Sequence, residues 1–63
     1  MGGRDPSLET KLASAVRSNK AGSEGRFKKY INTLDSPADK SGARARMNDA
    51  KAARKKAADA QRE

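Results

Sequence analysis

The chain has no cysteine, no histidine and no tryptophan, and its 63 residues include one phenylalanine and one tyrosine. Without cysteine there can be no disulfide and no thiol nucleophile, and without histidine the usual general base and the commonest transition-metal ligand are missing as well. The serines have no imidazole to activate them, so a non-catalytic protein is expected, with no metal and no cofactor. Gly22-Ser23-Glu24-Gly25 is glycine-rich but lacks the Gly-Lys-Ser/Thr ending of a phosphate-binding loop. No apolar run approaches the roughly 18 residues needed to span a bilayer, and the start of the chain lacks the apolar stretch of a signal peptide. Met-Gly-Gly opens the sequence, yet Pro6 stands where a myristoylation motif requires Ser or Thr. The expected setting is intracellular (cytoplasm, nucleus or nucleoid, or virion interior) rather than secreted.

Large apolar side chains are also scarce. Much of the 33% hydrophobic content is alanine, which loses little entropy on ordering but buries little area. The residues that can form a core or meet a partner are Leu8, Leu12, Val16, Phe27, Tyr30, Ile31 and Leu34. So short a chain buries only about 60% of its unfolded surface even when well packed. With disulfides and metals excluded, a partner or a homo-oligomer is the remaining route to added stability.

Three helices are expected. Asp5-Pro6 is a start signal, with Asp5 as N-cap, Pro6 at the first helical position and Glu9 set against the helix dipole. Leu8, Leu12, Ala15 and Val16 recur with helical period, and Asn19 to Gly22 carries stop signals, Gly22 supplying a left-handed cap, so helix 1 covers about residues 6–19. Ser23 opens helix 2, over about 24–34, where Phe27, Tyr30, Ile31 and Leu34 form the strongest apolar stripe. Helix 3 starts at Pro37 behind the cap Ser36 and meets no stop signal; Ser41-Gly42 is its weak spot, where it would fray or bend. The fold class is therefore all-α: residues 1–5 disordered, a helical hairpin over 6–35, and a long basic alanine-rich helix over 36–63. Two states of that last helix fit the composition, one folded unaided and one ordered only on binding or self-association.

What the chain has in excess is positive charge, 15 Lys and Arg against 8 Asp and Glu, a net +7. Such a surplus favours anionic partners. Projected at about 100° per residue, Lys40, Arg44, Lys51, Arg54, Lys55 and Arg62 share a wedge of about 100°, a basic stripe roughly 33 Å long. A seam of Ala43, Ala50, Ala53, Ala57 and Ala60 occupies another face, and Arg46, falling on it, would have to snorkel away from any contact. The seam also argues against membrane binding, because only Met47 supplies a larger apolar side chain. The aromatics of Arg26-Phe27-Lys28-Lys29-Tyr30 could stack on unpaired bases, but both rings lie on the apolar stripe, where core packing is the stronger expectation.

Asn48 to Lys56 resembles the basic region of bZIP transcription factors, Asn-x-x-Ala-Ala-x-x-Ser/Cys-Arg. Here the alanine pair comes one residue late, and one residue turns a helix by about 100°, so Asn48 and the alanines do not share a groove-facing side. An amphipathic helix followed by Lys28-Lys29 also looks like the WASP-homology actin-binding motif, with a linker that is long for that family. The small basic helical modules that end tailed-phage scaffolding proteins are similar in architecture. From the residues, the leading expectation is a non-catalytic protein that binds the backbone of DNA or RNA through one face of helix 3. The competing one is a structural or assembly protein whose helices dock on an acidic protein surface.

Overall fold

The computed structural model describes residues 4–62, Arg62 by its backbone alone. It is all-helical: α1 Pro6–Arg17, α2 Ser23–Asn32 and α3 Pro37–Arg62, each packed on the other two. Of the expected disordered segment 1–5, residues 1–3 lie outside the described residues, whereas Arg4 and Asp5 are both engaged. Asp5 caps α1 by accepting from the N–H groups of Ser7 and Leu8. Its own N–H donates to the Tyr30 hydroxyl at 2.7 Å, so an aromatic of α2 fixes the start of α1.

α1 ends two residues before the expected Asn19. Asn19 itself takes the left-handed conformation, at φ 58°. Lys20 N–H then reaches Ala15 C=O at 3.0 Å and Asn19 N–H reaches Val16 C=O at 3.0 Å, the paired bonds of a Schellman C-terminus. Asn tolerates this region better than other side chains because its short amide clashes little. The left-handed Gly22, at φ 75°, belongs instead to the N-cap of α2. Ser23 is consequently the first helical residue, and its hydroxyl donates to Lys20 C=O at 2.7 Å. α2 closes at Asn32, where Thr33 Oγ1 bonds Tyr30 C=O at 2.6 Å. Leu34 lies beyond the helix and is still buried. Ser36 Oγ accepts from Asp39 N–H at 3.5 Å at the start of α3.

One core joins all three helices: Ala13 and Val16 of α1, Phe27, Tyr30 and Ile31 of α2, Leu34, and Ala43, Met47 and Ala50 of α3. Phe27 is fully buried, its ring 6.2 Å from that of Tyr30 and tilted by 54°. Leu12 is half-buried at the edge, and Leu8, one of the core-or-partner positions, stands outside the core at 41% exposure. The cause is angular. Val16, Ala13 and the buried Glu9 face inward, and Leu8 sits about 100° around α1 from Glu9.

Glu9 is buried among these residues, a placement its sequence position does not reveal. The Arg4 guanidinium clamps it through Nε and a terminal nitrogen, the latter 2.6 Å from Oε1, and Arg46 Nε lies 3.7 Å from the same oxygen. Arg46 thus turns from the alanine seam toward a specific partner. The helix does not fray at Gly42. A Cβ there would stand 2.6 Å from an Arg4 guanidinium nitrogen, so the guanidinium lies over the glycine and would have to shift to make room for a side chain.

Of the alanine seam, Ala43 and Ala50 are fully buried and Ala53 half-buried, whereas Ala57 and Ala60 are exposed. The first part of α3 is therefore held by the shared core and its last turns project beyond it. This sets the elongated outline of 45 × 19 × 16 Å.

Candidate nucleic-acid interface

On α3 the core residues Ala43, Met47 and Ala50 span about 60° of the helix surface. Gly42 and Arg46 lie on the flank toward Arg4 and Glu9. The basic stripe lies on the opposite flank, beside α2. Because the stripe borders the core instead of facing away from it, α2 can add side chains to it. Between the two helices runs a groove of about 420 Å³ lined by Lys28, Ile31, Asn32, Arg44, Met47, Asn48 and Lys51. Its floor is apolar and its walls carry three cations and two amides.

The stripe does not act as six equal charges. Lys51 Nζ lies 3.0 Å from Glu24 Oε1, and Lys28 Nζ lies 3.6 Å from the same oxygen. Arg54 reaches toward the α1–α2 turn, donating to Asn19 Oδ1 at 3.3 Å. Arg44 and Lys55 are exposed and Lys40 is half-buried, with no ion pair among the described residues. Arg62 continues α3, but its side chain lies outside the described residues. The structure thus brings Arg44 and Lys51 to one groove, leaves Lys40 and Lys55 on the same flank along the helix, and turns Arg54 aside.

Four residues of the groove were not among the sequence-derived positions: Lys28, Asn32, Met47 and Asn48. The spacing of Glu24 and Lys28, an i,i+4 ion pair, was visible in sequence, but only the packing of α2 on α3 shows that Lys51 joins it. The hydrogen bond from Lys51, then its charge and that of Lys28, hold the Glu24 carboxyl below its ordinary 4.5, and burial opposes them in part.

Comparison with known proteins supplies no guide to this site: no family model, no curated protein and no solved structure matches the chain. Among the described residues no helix is long and apolar enough to cross a membrane.

Proposed function

We propose that the protein is a non-catalytic, intracellular nucleic-acid-binding protein that holds the phosphate backbone of DNA or RNA along the α2/α3 groove. The observation that carries this reading is that Lys28 of α2 stands across one groove from Arg44 and Lys51 of α3. A solvated charge face on a single helix needs no such convergence from two elements. Lys28, Arg44 and Lys51 neutralise phosphates in the groove and Lys55 extends the track along α3. Asn32 and Asn48 are placed to donate to phosphate or sugar oxygens, contacts that position a strand without reading its sequence.

Counterion release makes the proposal quantitative. Four cations on phosphates give a slope of log K against log salt of roughly −3.6 for duplex DNA. The test is a fluorescence-anisotropy titration of the protein with duplex DNA and duplex RNA at several salt concentrations. A slope near that value, much the same for unrelated sequences, supports the reading, and a slope shallower than about −2 rules it out.

A further inference from the structure

On the other side of α2 lies a second groove of different chemistry, about 380 Å³ between α1 and α2, lined by Leu8, Leu12, Arg26, Lys29, Tyr30 and Thr33. Leu8 is the exposed large hydrophobic side chain of the described residues, and Leu12 beside it is half-buried. Spaced four apart, they run along one line of α1, with the Tyr30 ring and Thr33 opposite. Every charged group lining this groove is a cation. The two carboxylates at the start of α1 face elsewhere: the N-cap Asp5 accepts the capping N–H groups and Glu9 is clamped by Arg4.

The geometry points to this groove as a docking site for an acidic amphipathic helix of a partner protein, its apolar residues seated on Leu8 and Leu12 and its carboxylates paired with Arg26 and Lys29. An apolar line of i,i+4 spacing is the surface that accepts the i, i+3, i+4, i+7 anchors of such a helix. The rim charges select its sign. A second copy of this chain fits poorly, because a two-fold contact through this groove sets Arg26 and Lys29 against their own counterparts on a chain of net +7. A nucleic-acid strand offers no apolar side chain for Leu8. Since Lys28 and Asn32 lie on one side of α2 and Arg26, Tyr30 and Thr33 on the other, both partners can be held at once. The inference does not depend on the nucleic-acid reading.

The test uses the full chain and a synthetic helical peptide of roughly two heptads, rich in glutamate, with leucines on one face. A permuted peptide of the same composition, with its leucines spread around the helix, is the control. Methyl and amide NMR should show saturable shifts at Leu8, Leu12 and Thr33 with the first peptide and much weaker ones with the second. Leu8→Ser should weaken binding about tenfold or more while the circular dichroism and melting temperature stay near wild type, because Leu8 lies outside the core. Arg26→Glu, on an exposed position, should weaken it independently and favour a lysine-containing version of the peptide. The proposal is overturned by equal binding of both peptides, by shifts confined to Arg44, Asn48 and Lys51, by no saturable shift at millimolar peptide, or by phosphatidylserine vesicles outcompeting the peptide for Leu8.

Discussion

α2 separates two grooves built on the same helix and opposite in character. Toward α3 it turns Glu24, Lys28 and Asn32, and the groove there is walled by cations and amides over a floor of Ile31 and Met47. Toward α1 it turns Arg26, Tyr30 and Thr33, and the groove is apolar with a cationic rim. Both grooves are lined by cations, but the first groups three of them over a narrow floor of Ile31 and Met47, whereas the second sets two beside the exposed line of Leu8 and Leu12. Net charge alone therefore says little about what such a protein binds. The neighbour that each flank of a helix meets decides whether a lysine joins a group of cations or edges an apolar surface.

The largest expected effect breaks both grooves together. Phe27 is fully buried where the three helices meet, so Phe27→Ala should cost about 3–5 kcal/mol. A chain of this size has about 3–9 kcal/mol of stability in total, so loss of helical circular dichroism at room temperature is expected. Leu8→Ser, at the lip of the apolar groove, should leave the melting temperature near wild type. Next in size, replacing Lys28, Arg44 and Lys51 together with Gln should flatten the salt slope of duplex binding by about 2.7, weaken all sequences alike and leave the peptide groove unaffected.

A smaller effect of opposite sign is expected at Glu24. Its carboxylate holds Lys28 and Lys51 and would compete with phosphate for them, so Glu24→Gln should tighten nucleic-acid binding at every salt concentration while the slope, which already counts both lysines, stays near roughly −3.6. Asp49→Asn makes the same change of charge on the far face of α3 and should change affinity much less than Glu24→Gln does. The pH dependence follows from the lowered Glu24 pKa. The native carboxyl binds its proton more weakly than the unfolded one, so the stability this pair adds is complete above 4.5 and is lost as pH falls through the lower native value. Acid titration of the melting temperature should show that loss reduced in Glu24→Gln.

Much of the fold was legible because local chemistry decides it. Asp5-Pro6 and Ser36-Pro37 place two helix starts, and the period of Phe27, Tyr30 and Ile31 marks the buried face of α2. What was not legible depends on how helices meet. Glu9 reads as a dipole-complementing residue until Arg4 folds back over Gly42 to clamp it. An isolated glycine inside a helical pattern was the available signal, since such positions often mark a close approach. Leu8 and Leu12 share a stripe in sequence, yet α1 rolls so that Val16 and Ala13 enter the core and Leu8 does not. The basic stripe was legible as a row of charges; its pairing with Glu24, the turning aside of Arg54 and the contribution of Lys28 were not, because each needs a second helix.

The most direct test of the separation between the grooves compares two adjacent lysines. Lys28 lines the α2/α3 groove and Lys29 the α1/α2 groove, and Lys28→Gln and Lys29→Gln change net charge identically. Measured by anisotropy against one duplex across a range of salt, Lys28→Gln should reduce the slope by about 0.9 and Lys29→Gln should leave it at the wild-type value. Equal slopes for the two variants would contradict the account, because the nucleic acid would then be responding to total charge and not to the groove.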